Sequence, residues 1–481
     1  MISFLLNDTL CQIEEEQHAR QTVLNYLRDN KKQCGTKEGC ASGDCGACTV
    51  VVAAVENDSL KYETINSCIA PMSQLHAKQV ITVEHLADGD RLHPVQQAMV
   101  DHHGSQCGFC TPGFVMSMFS LYKSRQVNTD IPLSRHTVNE QLGGNLCRCT
   151  GYRPIIDAAL ESCHSPEPDK FDHTSLLIKQ RLLALQDVNE DYLPRTEQAL
   201  ANALKKYPDA KLVSGGTDLM LAVTQQHQDL GHTINLSSIA SLQTLDVTDT
   251  HLIIGAGVTL TRLLPELEAH FPPLAELLTR FASQQIRNVA TIGGNIANAS
   301  PIGDLAPALL ALDAHVVVKD TKLNERSIPI RTFFEGYKKT QLHQNEWLHR
   351  FELPLLNSNQ IFDVYKVSKR FEDDISAVCA AFMVEIDDNK IVKINTGFGG
   401  VAATPAMATV FERVLTHKTW LDKATLDEGI SALNQAFTPL TDVRASAEYR
   451  QHLVTSLWTR FWTLSTSDVV VMLDHSEVTD A

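Results

Sequence analysis

The sequence predicts a multidomain protein of mixed α+β class, with small cysteine-bearing units ahead of a larger region of strands and helices. Three observations carry this. A chain of 481 residues is long enough for two to four separate cores. Its cysteines fall in two settings, one beside apolar strand-like runs and one at the starts of amphipathic helices. Beyond residue 190, short strands, double-glycine turns and helices follow one another.

Composition narrows the function. Hydrophobic residues make up 43% and charged residues 20%, the balance of an ordinary globular protein. A net charge of −16 argues against nucleic-acid binding, which needs clustered Lys and Arg. No apolar run approaches the ~18–20 residues that cross a bilayer, so no membrane partner is expected. The N-terminus, Met1-Ile-Ser-Phe-Leu-Leu-Asn, lacks the basic region and cleavage site of a signal peptide. The expected setting is cytoplasmic, where twelve cysteines do not make a disulfide framework. Eight of them precede residue 150 in groupings that suit metal, leaving Cys11, Cys34, Cys163 and Cys379 over.

Residues 1–85 read as a small sheet packed on a helix. Ile2 to Leu6 is a short apolar strand, and Val23, Leu24 and Leu27 share one side of a helix over residues 22–28. The loop Cys40-Ala-Ser-Gly-Asp-Cys45-Gly-Ala-Cys48 follows, then the buried-strand run Thr49-Val-Val-Val-Ala-Ala-Val55 and a strand at Val80-Ile-Thr-Val83. Spacers of four and two residues with a distant fourth cysteine are what a plant-type [2Fe-2S] loop requires, and Cys68 is the natural fourth ligand. Gly43 and Gly46 let the backbone approach the sulfurs. Zinc ligands come as two close pairs, so iron–sulfur is favoured over zinc or over reduced core cysteines.

Residues 90–163 turn helical. One helix begins at His93-Pro94 and runs to about residue 104, and Thr111-Pro112 starts the next with an N-cap and a proline in the first turn. That start directly follows Cys107-Gly-Phe-Cys110, and Cys147-Arg-Cys149 precedes a third helix from about Arg153. Helix N-termini favour anionic thiolates. By spacing alone, zinc and [2Fe-2S] remain even alternatives for this second set. His102 and His103 read as solvent-facing residues at a helix end. Residues 164–190, with Ser165-Pro-Glu-Pro-Asp, read as a connector.

The third unit contains Lys211-Leu-Val-Ser-Gly-Gly-Thr-Asp-Leu219, a strand feeding a double-glycine turn, and a second such turn in Asn288-Val-Ala-Thr-Ile-Gly-Gly-Asn295. Each alone is more often an ordinary turn, although exposed N–H and hydroxyl groups there suit a pyrophosphate. Gly255-Ala-Gly257 has Leu260 where a Rossmann third glycine would stand, and reads as a plain strand-end turn. Lys366-Val-Ser-Lys-Arg-Phe-Glu-Asp-Asp-Ile375 reads as a solvated charged loop. From about residue 404 the chain is mainly helical, and its last ten residues are polar and expected to fray.

In combination the motifs become specific. The three cysteine stretches, including Gln106-Cys-Gly-Phe-Cys-Thr-Pro-Gly113 and Gly144-Asn-Leu-Cys-Arg-Cys-Thr-Gly-Tyr-Arg-Pro154, resemble the paired [2Fe-2S] domains of the xanthine oxidase family of molybdenum hydroxylases. Ser214-Gly-Gly-Thr-Asp218, Ile286-Arg-Asn-Val-Ala-Thr-Ile-Gly-Gly-Asn295, Ser300-Pro-Ile-Gly-Asp304 and Phe333-Phe-Glu-Gly-Tyr-Lys-Lys-Thr340 resemble that family's FAD domain. The resemblance implies a β-grasp plant-type ferredoxin domain at 1–87, a four-helix [2Fe-2S] domain at 88–164 and a linker at 165–190. It further implies an α+β FAD-binding domain of the vanillyl-alcohol-oxidase type at 191–360 and a C-terminal α/β subdomain at 361–475.

The resemblance also assigns residues. Cys40, Cys45, Cys48 and Cys68 would hold the cluster nearer the flavin, and Cys107, Cys110, Cys147 and Cys149 the cluster nearer molybdenum. Leu212, Val213, Ser214, Gly215, Gly216, Thr217, Asp218 and Leu219 match the FAD-phosphate loop. Phe281, Thr291, Ile292, Gly293, Gly294, Asn295, Asp304, Leu348 and Lys366 match other flavin-contacting positions. Asp373 falls in a loop beside the flavin that influences NAD access, which revises the bland reading of that segment. The chain ends at residue 481 with no molybdopterin domain, so a separate molybdopterin-binding large subunit is implied, in an α2β2 heterotetramer. Electrons from purine oxidation to urate would pass from molybdenum through both clusters to FAD and then NAD. Two departures stand out: Ser42-Gly-Asp44 replaces the common Glu-Gly-Gly, and Cys34 replaces an aliphatic residue. Rival readings are a carbon monoxide or aromatic-acyl-CoA hydroxylase, whose iron–sulfur and flavin parts are on separate chains, and a zinc-stabilised scaffold without redox chemistry.

Overall fold

The computed structural model describes residues 1–14, 21–127, 133–185 and 189–466. Its first 81 residues build a five-stranded sheet from β1 (Ile2–Leu6), β2 (Thr9–Ile13), β3 (Thr49–Glu56), β4 (Ser59–Asn66) and β5 (Gln79–Ile81). The strand order is β2-β1-β5-β3-β4, with β1 and β5 parallel and the other neighbours antiparallel. The valine run of β3 is buried on both faces because side chains alternate across a strand. Val50 and Val52 pack with Phe4, Val23 and Leu27, whereas Val51 and Ala53 join the core of the helices that follow. The stretch at 22–28 is helical only over Val23–Asn25 and continues as a π turn, Tyr26–Asn30, and Val23, Leu24 and Leu27 are all buried.

Four helices come next: Pro94–Asp101, Thr111–Val127, Arg135–Leu142 and Arg153–His164. His93 caps the first through a box with Gln96. Phe114, Met118, Phe119 and Tyr122 fill the core against Val95, Ile155 and Ala159. Sheet and helices thus share one hydrophobic core, which fixes the two cysteine regions relative to each other.

The expected connector at 164–190 is not a bare linker. Lys170–Leu183 is a helix started by Asp169, whose carboxylate accepts from the N–H groups of Phe171 (2.8 Å) and Asp172 (3.1 Å). Its apolar stripe of Phe171, Ile178 and Leu182 is buried. The Pro-rich approach hid this start. Asp169 also meets His93 at 3.0 Å and Lys123 at 3.1 Å, both side chains 3% exposed. Burial alone would raise its pKa, but the His93 contact and then Lys123 hold it well below the usual carboxylate range. A depressed carboxylate stabilises above its unfolded pKa, and this is lost only as pH falls through the folded value. Asp169→Ala leaves Lys123 with Asp172 alone, at 2.7 Å, and His93 buried without its partner, and should cost about 1–3 kcal/mol. A melt at neutral pH measures this, and a variant as stable as the parent would refute it.

The larger region holds a five-stranded antiparallel sheet ordered Glu325–Pro329, His315–Lys319, Trp347–Pro354, His251–Gly255, Leu245–Val247. A small parallel pair, Lys211–Val213 with Thr233–Asn235, lies apart from it. The C-terminal part corrects the α/β expectation. Gln360–Val367, Val378–Asp387 and Lys390–Gly399 form an all-antiparallel sheet, followed by helices Thr409–Leu415, Lys423–Asn434 and Ala447–Thr466. Asp388 and Asn389 both take positive φ, 45° and 57°, the tight hairpin turn that joins adjacent strands without a crossover helix. Among the described residues no helix is long and apolar enough to cross a membrane. The last ten residues, expected to fray, lie outside the described part.

Candidate functional site

Between the π turn and β3 the first cysteine loop folds back on itself, which requires Gly43 (φ 85°) and Gly46 (φ 67°). A methyl on Gly46 would overlap the Gly144 carbonyl, so the two cysteine regions touch backbone to backbone. Cys48 and Cys68 are buried, and Cys40 and Cys45 half-buried. Cys40 faces Cys45 and Cys68, and Cys68 also faces Cys48. The Cys45 and then Cys68 thiols draw the Cys40 pKa far down, while contact with Cys40 pushes theirs up. The four thiols of Cys40, Cys45, Cys48 and Cys68 thus form one contiguous group. Cys40 Sγ also accepts from the N–H groups of Ser42 (3.4 Å) and Asp44 (3.3 Å), as sulfur ligands do. Cys34 is exposed nearby, its carbonyl accepting from Lys37.

The second set sits at helix starts. Cys107 faces Cys149, and Cys110 faces Cys147. Burial and then Cys147 push the Cys110 thiol up to about 12. Cys147 Sγ accepts from the Thr150 N–H (3.4 Å) and hydroxyl (3.1 Å), and its own N–H donates to Tyr152 Oη (3.0 Å). Among the described residues no three His, Cys, Asp or Glu side chains converge on a single metal ion. The sulfurs of this set meet in two pairs, Cys107 with Cys149 and Cys110 with Cys147. Cys107 and Cys149 are exposed in a rim of exposed Phe109, Leu146 and Tyr152. The two loops are joined directly, since Leu146 N–H donates to the Cys45 carbonyl at 3.0 Å.

On the far side of the first loop lies a cleft of about 750 Å³. Ser42, Gly43 and Asp44 of the cysteine loop form part of its wall, together with all eight residues of 212–219. Gln74 of the first unit donates to the Gly215 carbonyl at 2.5 Å and pins this glycine loop. Phe281, Thr291, Gly294, Asn295, Asp304, Lys366 and Asp373 also line the cleft, so the sequence motifs converge on one site. Asn295 Oδ1 is buried without a hydrogen-bond partner, an acceptor left for a ligand. Lys366 and Asp304, both almost fully buried, form an ion pair, and the Ser376 hydroxyl donates to Asp304 at 2.5 Å. Burial and then Asp44 push Asp373 up to about 6, against Arg370, Arg287 and Lys366. Asp373 itself holds φ 47°.

Three of the expected flavin-contacting residues, Leu348, Ile292 and Gly293, are not among those that line the cleft, and one reading of the charged segment needs correction. Leu348 points into the sheet core among Val316, Val318 and Phe351, because alternate residues of its strand face inward. Gly293 is not in a turn but in helix Ile292–Ala297, capped by Thr291, whose Oγ1 accepts from Gly294 N–H at 3.0 Å. There Gly293 packs on the Ala256 backbone and Ile292 in the core, behind the cleft wall. Lys366 is a buried strand residue, not a solvated one. Sequence reasoning passed over Ile286, Arg370 and Ile375 in the lining. Ile286 stood inside a quoted motif, and Arg370 and Ile375 inside the stretch 366–375 that read as a solvated loop.

Comparisons with known proteins agree with this geometry. Residues 82–160 match a [2Fe-2S] binding domain, residues 188–356 the FAD binding domain in molybdopterin dehydrogenase, and residues 363–464 the CO dehydrogenase flavoprotein C-terminal domain. Xanthine dehydrogenase of Emericella nidulans is 34% identical over 96% of this chain and 38% of its own length. Xanthine dehydrogenase of Oryza sativa is 32% identical over 92% of this chain and 38% of its own. The chain thus spans well under half the length of these relatives. A solved carbon monoxide dehydrogenase from Hydrogenophaga pseudoflava, lacking the Mo-pyranopterin moiety of its cofactor, matches with a TM-score of 0.53 and 25% identity. That match covers 57% of this chain and 95% of the other. With paired thiols at helix starts, a flavin-sized cleft and these relatives in view, the chain belongs to the xanthine oxidase family of molybdenum hydroxylases, whose iron–sulfur and FAD-binding region it carries.

Proposed function

We propose that this chain is the electron-transfer part of a xanthine dehydrogenase, in which a molybdopterin-bearing partner subunit oxidises the purine and two [2Fe-2S] clusters and FAD carry the electrons to NAD. The observation that carries this reading is the shared cleft, which Ser42, Gly43 and Asp44 of one cysteine loop line together with the glycine loop 212–219. In this reading Cys40, Cys45, Cys48 and Cys68 hold the inner cluster, and Cys107, Cys110, Cys147 and Cys149 the outer one. The exposed outer cysteines and their apolar rim support contact with the partner, in an α2β2 assembly. Residues 212–219, Thr291, Gly294 and Asn295 offer N–H, hydroxyl and acceptor groups to FAD, and Phe281 an apolar side.

The proposed divisions are a ferredoxin-like unit at 1–87, a helical cluster unit at 88–164, a FAD-binding unit at 191–360 and a C-terminal unit from 361. The strand order β2-β1-β5-β3-β4 supports a β-grasp for the first. A second reading, the corresponding part of another molybdenum hydroxylase, is favoured by the near-complete coverage of the carbon monoxide dehydrogenase chain. Activity with xanthine of the chain assembled with its partner separates the two. The zinc scaffold would yield a colourless protein with zinc and no iron.

The chain co-expressed with its partner should give two distinct [2Fe-2S] signals by low-temperature electron paramagnetic resonance (EPR) and release one non-covalent FAD. A single cluster signal sinks the two-cluster assignment. Asp373 supplies a finer test. It ionises near pH 6, facing Asp44, Arg370, Arg287 and Lys366. Its charge appears as pH rises through that value and attracts the positive nicotinamide ring of NAD. Reoxidation of the reduced protein by NAD should therefore climb about tenfold, the effect of roughly 1.4 kcal/mol. Asp373→Asn should flatten that rise and leave reoxidation by a neutral dye unchanged. An unaltered NAD profile refutes the assignment of Asp373.

A further inference from the structure

Both cysteine loops and the cleft meet at one helical turn, Gln284–Arg287. Its residues and their neighbour Asn288 serve different sides. Ile286 lines the cleft, and Asn288 Nδ2 donates to the Thr64 carbonyl on β4 at 2.9 Å. Gln285 has no exposed surface and reaches into the seam between the two cysteine loops. Its Nε2 lies 3.0 Å from Asn145 Oδ1, 3.2 Å from Thr49 Oγ1 and 3.3 Å from Ser117 Oγ. Thr49 directly follows Cys48, Asn145 stands two residues before Cys147, and Ser117 is in the helix that starts after Cys110.

Asn145 extends the contact. It donates to the Gly46 carbonyl at 3.0 Å and accepts from Ser117 Oγ at 2.6 Å. One amide from the flavin side therefore touches residues beside both sets of cysteines. An amide nitrogen has two hydrogens for these three acceptors, and Gln285 Oε1 is buried with no partner. A buried acceptor without a donor works against folding. Such a residue is better explained by what it positions than by what it stabilises.

We propose that Gln285 is a positioning residue that sets the placement of the two clusters relative to each other and to the cleft. The proposal rests on the two-cluster reading above. Passage between the clusters moves one electron from a reduced to an oxidised centre, with no bond made or broken. The protein controls it through separation and through hydrogen bonds around the sulfurs. Without the Gln285 amide, Asn145 and Thr49 lose a donor, and the contact of Gly46 with the loop before Cys147 is free to relax.

The test uses the complex with its partner. Gln285→Met keeps length and volume but removes the amide. Iron and FAD content should match the parent, while the EPR signals of both clusters shift together. The spin–spin broadening between them in the fully reduced protein should change, and the midpoint potential of at least one cluster should move. A merely structural role lowers the melting temperature and leaves spectra and potentials in place. Unchanged spectra and coupling in Gln285→Met overturn the proposal, as does a shift confined to one cluster. Should that variant not fold, Gln285→Asn, which retains an amide one methylene shorter, is read in the same way. A parent protein without two clusters defeats the two-cluster reading instead, and iron analysis of the parent tells these failures apart.

Discussion

Cys147→Ala should remove one of two iron–sulfur signals, halve the iron of the chain and leave the other signal in place. Cys147 is a proposed ligand whose sulfur is already held by its surroundings. It faces Cys110, and its sulfur accepts two hydrogen bonds from Thr150 at the start of the Arg153–His164 helix. Loss of one thiolate of four leaves an iron without its coordination, and the cluster has no substitute ligand. The first loop should survive because its cysteines lie on β-sheet connections, with Cys48 and Cys68 in a separate small core. Electron delivery from the partner should fall to background, whereas reduction of a dye by NADH, which needs only the flavin end, should persist. Iron analysis with EPR reads the first outcome, and steady-state assays the second. Cys48→Ala gives the mirror result with greater instability, since Cys48 is buried among Leu24, Cys68, Ile69 and Met220. If Cys147→Ala removed both signals, the two ligand sets would not be independent.

The proposed ligand positions stand out in the sequence because a cluster demands several thiolates within a few residues, and that demand is local. The glycine loop at 212–219 was legible for a similar reason, as a short loop facing a phosphate needs small and hydroxyl residues in sequence. Leu348 shows the limit. A residue-by-residue match carries position but not which side of a strand faces the cleft, and here alternation turns the side chain into the core. The 170–183 helix was missed because Pro and charge precede it, although its capping box of Asp169 with Asp172 is a local signal. The edge strands β2 and β4 carry exposed residues along much of their length and so gave weak patterns. Gln285 had no local signal at all, because its significance comes from three elements far apart in the chain. Arg370 and Asp44 likewise share the cleft only through tertiary packing.

The ion pair under the cleft offers the second large effect. Lys366→Met should abolish FAD retention and lower stability by about 3–5 kcal/mol, the cost of leaving a buried charge without its partner. Lys366 stands on strand Gln360–Val367 and Asp304 at the start of helix Leu305–Ala311. Their pairing therefore ties the C-terminal sheet to the flavin-side helices at the base of the cleft. Without the ammonium, the Asp304 carboxylate keeps only the Ser376 hydroxyl, and it must either take up a proton or draw in water. Either response alters the cleft floor beneath Asn295 and Gly303. The double variant Asp304→Asn with Lys366→Met removes both charges and should recover most of the stability, since replacing a buried pair is far less costly than breaking it. Flavin binding should not recover with it if the pair serves the ligand. Flavin fluorescence after gel filtration and a melt on each variant separate the two roles. Full flavin content in Lys366→Met, with stability alone reduced, would make the pair a structural brace and remove it from the binding site.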